Sequence, residues 1–335
     1  MKKTAVLLLL VSFVCISATQ FIHPAFFVPK GWPDPVYSFE KNELNDAKIL
    51  LGRALFYDPV LSENNTISCS SCHLQYTAFA HVDHKLSHGI YDSIGTRNAP
   101  ALVNLAWHSS FMWDGAVNHL DMQPLAPISN PAEMGSNIES VATRLKNKDV
   151  YPDLFDKAFG DTLITGERIL KAISAFMVTI ISCDSKYDMV MRGETSFDKQ
   201  EASGYKIFQK NCVTCHTEPL FTNLKFESNG LPLDPLLNDI GRMKVTGKAS
   251  DARLFKVPTL RNIEFSYPYM HDGRFSSIRQ VLDHYNTQAN SVIKNKISLT
   301  SSQKVDLTAF LLTLTDKKFL FNTEYSFPKE VLLKR

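Results

Sequence analysis

Two pentads, CSSCH (residues 69–73) and CVTCH (residues 212–216), decide how this chain is read. Two cysteines three positions apart can each form a thioether to one vinyl group of a haem. The histidine that follows then turns its imidazole to the iron, which is the c-type attachment pattern. Zinc wants its cysteine pairs closer, typically about 12–20 residues apart. A redox disulfide needs neither the trailing histidine nor a second copy. Haem is the reading retained, with Cys69, Cys72 and His73 holding one group and Cys212, Cys215 and His216 a second.

Other signals repeat around the pentads. Ahead of them stand GRALF (52–56) and GYKIF (204–208), each Gly-x-x-hydrophobic-Phe. Behind them stand Pro100-Ala101-Leu102-Val103-Asn104 and Pro258-Thr259-Leu260-Arg261-Asn262, each Pro-x-Leu-x-Asn. Then come FMWDG (111–115) and YMHDG (269–273), with Asp114 and Asp272 each 14 positions past the proline. The same signals in the same order, twice, predict two related domains. The pentads are offset by 143 residues and the Met-x-Asp-Gly turns by 158, so the connecting loops differ in length.

The chain has 335 residues, enough for two domains, and 44% of them are hydrophobic. A formal charge of +2 with interspersed signs excludes a basic stripe and argues against nucleic acid as a partner. The first residues, MKKTAVLLLLVSFVCISATQ, give two lysines, an apolar run and then small residues. That pattern predicts a signal peptide over residues 1–18, cleaved near Ala18, and a periplasmic protein. Lipid attachment at Cys15 is the lesser alternative, because Val14 is a poor fit to the small residue required before it. Of the six cysteines, Cys183 alone is left without a task, in an apolar run that predicts a buried, inert thiol.

Helical spacing is plain in NELNDAKILLGRALFYD, with Leu44, Ala47, Leu51 and Leu55 on one face. A weaker version, KQEASGYKIFQKN, precedes the second pentad. ERILKAISAFMVTIIS puts Ile169, Ile173, Phe176 and Ile180 on one face. Capping boxes are expected at Ser136…Glu139 and Thr300…Gln303. Strand alternation is scarce. The predicted fold is mainly α, with two cytochrome c-like domains, each around one covalently bound haem.

With LGRALFYDPVLS, CSSCH, GTRNAPALVNLAW, FMWDG, NPAEM, CVTCH, FKVPTLRN and PYMHDGRF in order, the chain resembles the bacterial di-haem cytochrome c peroxidases, a family that includes the MauG-type enzymes. The resemblance runs from about Phe39 to Leu320. It implies an N-terminal peroxidatic domain over 39–190 and a C-terminal electron-transfer domain over 197–320.

The resemblance also assigns roles. Trp113, which read alone is an ordinary buried indole, matches the residue that helps electrons pass between the haems. Glu133 and Gln123 match the pair over the peroxidatic iron, with Glu133 as general acid/base and Gln123 orienting peroxide. Read alone, Glu133 is a solvated charge near a helix start. Tyr285 lies 14 residues past His271, where peroxidases carry Met and MauG-type enzymes carry a Tyr ligand. Its helix, SSIRQVLDHYN, turns Ile278, Val281, Leu282 and Tyr285 inward. Met270 and Met243 are lesser candidates for that position. His271 is assigned to a haem propionate or to the inter-domain contact, not to iron. In HVDHKLSHG, His88 is nearest to the removable iron ligand of some relatives, in a loop two residues longer than theirs; polar histidines in a loop more often face solvent. A calcium site is implied at Asn98, Ser266 and Pro268, with Ser where Thr is usual; oxygen donors suit Ca²⁺.

The function expected is therefore an exported di-haem peroxidase. It would reduce hydrogen peroxide with electrons from a small cytochrome c or cupredoxin. Dimers are common among such peroxidases, so a homodimer is an expectation. The alternatives are a MauG-like oxidase acting on a protein or organic substrate, and a di-haem electron carrier without catalysis. Purified from cells able to attach haem, the mature chain is expected to be coloured and to weigh two haems more than its polypeptide. A colourless product, or a mass gain of fewer than two, would overturn the reading.

Overall fold

The structure, a computed structural model, describes residues 25–287, 297–333. The predicted leader, with Ala18 and Cys15, lies outside the described residues. Among these residues seven helices reach nine residues or more: α1 (Asp46–Tyr57), α2 (Ile138–Lys146), α3 (Val150–Phe159), α4 (Gly166–Val178), α5 (Lys199–Asn211), α6 (Ile278–Asn286) and α7 (Ser301–Leu312). A two-residue antiparallel ribbon pairs β1 (Phe226–Glu227) with β2 (Phe255–Lys256). The mainly helical expectation holds. Among the described residues no helix is long and apolar enough to cross a membrane.

Local chemistry sets the helix ends. Asn45 caps α1 by accepting from the Lys48 N–H at 2.7 Å, so Leu44 stands just outside the helix. Asp198 opens α5, Ser277 opens α6 and Thr300 opens α7, each in a reciprocal box with Glu201, Gln280 and Gln303. The box expected at Ser136…Glu139 does not form. Asn137 is the cap instead, accepting from the Ser140 N–H, and the Ser136 hydroxyl accepts from Arg144 at 2.7 Å. Asn beats Ser here because it stands one residue nearer the first turn. α4 is also not one-faced: Ile169, Leu170 and every residue from Ala172 to Val178 are buried. Ile180 lies past its end yet is buried too.

Buried apolar side chains gather in two clusters. The first joins Leu51, Leu55 and Phe56 of α1 to Phe155 of α3 and Ile169, Ile173 and Phe176 of α4. The second joins Phe208 of α5 to Phe221, Leu282, Leu307 and Phe310. Phe319, Leu320 and Tyr325 return to the first cluster, where both phenylalanine and tyrosine rings meet Phe79.

The sequence repeat has a structural counterpart at every signal. Gly52 of α1 lies against the Ala172 carbonyl and Phe176 Cβ of α4. Gly204 of α5 lies against the Asp306 carbonyl and Phe310 Cβ of α7. Each pair crosses at a glycine because nothing larger fits. The two asparagines of Pro-x-Leu-x-Asn both take the left-handed conformation, Asn104 at φ 56° and Asn262 at φ 59°. Their N–H groups donate to Ile180 and Leu314 carbonyls, each at 3.0 Å. The two Met-x-Asp-Gly turns are both closed by a bridge, Phe111 with Val117 and Tyr269 with Phe275.

Alanine at an ordinary helical glycine stabilises by about 1 kcal/mol. At Gly52 and Gly204 the sign reverses, because the added methyl collides with backbone that cannot rotate away. Gly52→Ala and Gly204→Ala are each expected to cost about 1–3 kcal/mol, read as a lowered thermal midpoint. An unchanged or raised midpoint would show that the helices do not cross at these residues.

Candidate haem sites and the junction between the repeats

Both pentads lie at helical turns, and the cysteines and histidine of each are half-buried. Cys69–Cys72 is a single helical turn capped by Ser68 in a box with Ser71. Cys212 follows directly on α5. The His73 Nδ1 lies 2.7 Å from the Phe79 carbonyl, and the His216 Nδ1 lies 3.2 Å from the Phe221 carbonyl. A carbonyl only accepts, so in each ring the proton is on Nδ1 and the lone pair on Nε2. The residue supplying the carbonyl is left-handed in both cases, Phe79 at φ 56° and Phe221 at φ 55°. Burial pushes both imidazoles down to about 4, so both are neutral at physiological pH.

This donor set fits haem c. Each motif offers two unpaired thiols and one neutral imidazole with its second nitrogen fixed by a backbone bond, the arrangement metal-ligating histidines require. Among the described residues no group of three or more His, Cys, Asp or Glu could hold a bare metal ion.

Around the first pentad the structure gathers several predicted residues. Glu133 is half-buried, and its carboxylate accepts from the Asn130 amide at 2.8 Å. Burial raises it above the ordinary carboxylate value, partly offset by Asn130. Burial first, with a lesser push from Glu133, raises the Cys69 thiol to about 12 and the Cys72 thiol to about 11. The loop before it is locked on: the Ile90 N–H donates to the Glu133 carbonyl at 2.8 Å, and a Cβ at Gly89 would overlap Glu133 backbone. The Cys72 thiol donates to the His88 carbonyl at 3.5 Å.

His88 itself is stacked on His84, with ring centroids 4.0 Å apart, and His84 lies 5.3 Å from His81. The three histidines form a file, and His81 is buried rather than solvent-facing. Gln123 is not joined to Glu133 by a hydrogen bond among the described residues. Its amide reaches the Met112 sulfur at 3.9 Å, next to Trp113.

Around the second pentad, Tyr285 on α6 is raised well above the usual phenol range by burial first, then by Cys212 and Cys215. Tyr285 and Cys212 both pack against the second apolar cluster. The helix face is less regular than its spacing implies. Leu282 is buried while Ile278, Val281 and Tyr285 are half-buried, and His284 is buried with its Nε2 2.8 Å from the Asn229 carbonyl. The Met270 sulfur accepts from Asn229 at 3.5 Å, and Met243 opens a short helix. Cys183 is half-buried rather than buried as expected, and burial, with nearby carboxylates, raises its thiol to about 12.

The two halves meet through the repeat itself. The Asn98 N–H donates to the His271 carbonyl at 2.7 Å, and the Lys256 N–H donates to the Trp113 carbonyl at 2.7 Å. Asn98 and Lys256 are the equivalent residues two before each proline; Trp113 and His271 are the equivalent residues before each aspartate. The Trp113 indole N–H then donates to the Asn98 carbonyl at 2.8 Å. Arg97 adds an ion-paired fork, to Asp114 at 2.7 Å and Asp239 at 2.6 Å. His271 stacks on Phe255 with centroids 3.7 Å apart. Of the oxygen donors implied for calcium, Asn98 turns its amide nitrogen to the Lys85 carbonyl at 3.1 Å, which leaves Oδ1 as an acceptor. Ser266 and Pro268 flank the loop that leads into the second turn.

Sequence reasoning missed Asn130, Gly89, Arg97 and Lys256. Arg97 and Lys256 stood inside quoted motifs, but nothing in a single sequence says that they face the other half.

The family model described as di-haem cytochrome c peroxidase matches residues 46–196. The cytochrome c551 peroxidase of Nitrosomonas europaea is 34% identical over 79% of this chain and 79% of its own length. The methylamine utilization protein MauG of Methylorubrum extorquens is 33% identical over 85% of this chain and 82% of its own. The crystal structure of a MauG-like protein associated with microbial copper homeostasis superposes with a TM-score of 0.81, at 32% identity, covering 90% of this chain and 98% of that one. With both pentads, their anchored imidazoles and this similarity across nearly the whole described length, the chain belongs to the di-haem cytochrome c peroxidase family.

Proposed function

We propose that this chain reduces hydrogen peroxide to water outside the cytoplasm, taking electrons from a small cytochrome c or a cupredoxin. The observation that carries this is Glu133: a partly buried carboxyl group beside Cys69 and Cys72, with a raised affinity for protons. Haem held by Cys69, Cys72 and His73 and by Cys212, Cys215 and His216 would supply the redox chemistry. The balance is one peroxide, two electrons and two protons to two waters. Glu133 takes a proton from one peroxide oxygen and delivers it to the other, which leaves as water. Asn130 holds the carboxylate in place. Gln123 orients peroxide from the side of Met112. Trp113, fixed by Asn98 and Lys256, is the conduit between the halves.

A second reading is favoured by Tyr285. Were the Tyr285 phenol to ligate the second centre, it would be a hard anionic donor there, whereas Met sulfur raises the potential. Tyr285 would thus favour higher oxidation states there, as a MauG-like oxidase of a protein or organic substrate requires. A carrier without catalysis has no use for Glu133. The oxygen donors of Asn98, Ser266 and Pro268 would hold calcium at the junction. His88, whose backbone carbonyl accepts from Cys72, would be the candidate cap of the first site at rest.

Glu133→Gln is expected to lower kcat/KM for peroxide by about 10²–10⁴-fold. In the wild type, activity falls with acid as the carboxylate gains its proton. Because burial raises that group, the acid limb lies above 4.5, and it vanishes in the variant. Unchanged turnover in Glu133→Gln would end the assignment. For the second centre, Tyr285→Phe is expected to shift the spectrum of the C-terminal haem and raise its potential. An unchanged spectrum would remove Tyr285 as a ligand. Stopped-flow mixing with peroxide separates the readings: rapid turnover with a reduced small cytochrome supports peroxidase, and a long-lived oxidised species without turnover supports the oxidase.

A further inference from the structure

Lys256 is buried, 8% exposed, and among the described residues no carboxylate pairs with its ammonium group. Its Nζ lies 2.9 Å from the His108 Nδ1, donates to the Ser110 carbonyl, and stands 5.5 Å from the centre of the Phe111 ring. Its backbone N–H holds the Trp113 carbonyl at 2.7 Å. One residue of the second repeat therefore grips the segment 108–113 of the first at both ends. A buried lysine without a counter-ion is costly, and its ammonium is normally kept out of such a place. Arg, Gln or Met could reach the same carbonyl or fill the same volume without a charge that titrates.

We propose that Lys256 is a positioning residue for Trp113 and that one proton on its side chain controls how readily an electron passes through the indole. The proposal rests on the relay role of Trp113. When an electron leaves the indole toward the peroxide-reacted side, a positive hole stays on the ring until an electron returns from the donor side. The Nε1 proton remains on nitrogen, donated to the Asn98 carbonyl, so the hole is cationic. A neighbouring ammonium repels it; a neutral amine does not.

Burial pushes Lys256 down to about 7, and burial together with Lys256 pushes His108 well below its usual range. Near neutrality the lysine is thus the member of the pair that titrates. The other charges on the packed elements are accounted for. Glu227 pairs with Phe255 across the ribbon, on the face opposite Lys256, and Lys225 is exposed beside it. Arg242 lies on the Phe226 ring at 3.9 Å and bonds the Asp114 carbonyl, while Asp114 is paired with Arg97.

The test is the rate at which oxidising equivalents redistribute between the haems of the intact holoprotein after rapid mixing with one equivalent of hydrogen peroxide, followed from pH 6 to pH 8. In the wild type it is expected to rise roughly tenfold, with a midpoint near 7. Lys256→Met is expected to be flat with pH at about the wild-type alkaline rate, with both haem potentials unmoved. Lys256→Gln keeps a donor for the Ser110 carbonyl and should be equally flat. A variant that retains the wild-type pH profile, or is slowed equally at every pH with the slope kept, overturns the proposal. Trp113→Phe separates the two levels: an unchanged rate there sinks the relay itself, whatever Lys256 does.

Discussion

Two backbone hydrogen bonds, exchanged across the junction, set the geometry on which the rest depends. The Asn98 N–H reaches the His271 carbonyl and the Lys256 N–H reaches the Trp113 carbonyl, each at 2.7 Å. Each bond joins the residue two before proline in one repeat to the residue before aspartate in the other. Neither contributes more than about 1 kcal/mol of net stability. Their effect is positional. Equivalent atoms of the two halves meet reciprocally, so the relation between the pentads follows from the relation between the turns. The turns have little freedom of their own. Met112 and Met270 are left-handed at φ 68° and 75°, and the closing glycines, Gly115 and Gly273, take φ 72° and 64°. Positive φ at a methionine is uncommon and persists only where surroundings over-determine it. Here the bridges at Phe111–Val117 and Tyr269–Phe275 do so.

The scaffold repeats while its polar chemistry does not. Both imidazoles are anchored through Nδ1 to a left-handed phenylalanine, and both helix pairs cross at a glycine. Beyond that the halves diverge. Glu133 and its partner Asn130 stand beside Cys69 and Cys72, whereas Tyr285 and Cys212 pack against the second apolar cluster. The Arg261 guanidinium forms a buried ion pair with Asp188 at 2.8 Å. Pairs of this kind are weak contributors to net stability, because desolvation nearly cancels attraction. Its guanidinium also donates to the Pro219 carbonyl at 2.9 Å, so it ties the segment behind His216 to the helix at Lys186–Met191.

Much of this was legible in the chain. The pentads, the helices entering them and the glycines where helices cross follow from spacing and residue size. Thr300 was read correctly as a cap because its partner, Gln303, is three residues on. Ser136 was misread because the same rule accepts Asn137 one residue later, and only the backbone decides between them. α4 was expected to be amphipathic, yet it is buried nearly all round; periodicity cannot separate one apolar face from full enclosure when nearly every residue is apolar. The site was half legible. Glu133 and Tyr285 could be named from motif distance. The file of His81, His84 and His88, the Gln123 contact with Met112 and the placement of Lys256 depend on loops folding over one another, and spacing carries no record of that.

The reciprocal bonds also explain why Trp113 and His271, equivalent in the repeat, have different surroundings. His271 lies flat on Phe255, and its buried Nδ1 has no partner among the described residues. Trp113 donates its indole N–H to the Asn98 carbonyl, the residue whose own N–H holds His271. Asn98 thus faces both turns at once: donor to one, acceptor from the other. Lys256, its equivalent, uses its N–H in the same way but sends its side chain back along the segment before Trp113. The two equivalent positions differ in charge. The backbone carbonyl of Asn98 fixes the indole without adding a charge, whereas the ammonium of Lys256 imposes a field that loss of its proton removes. Divergence at one pair of equivalent residues is enough to give a symmetric junction a direction.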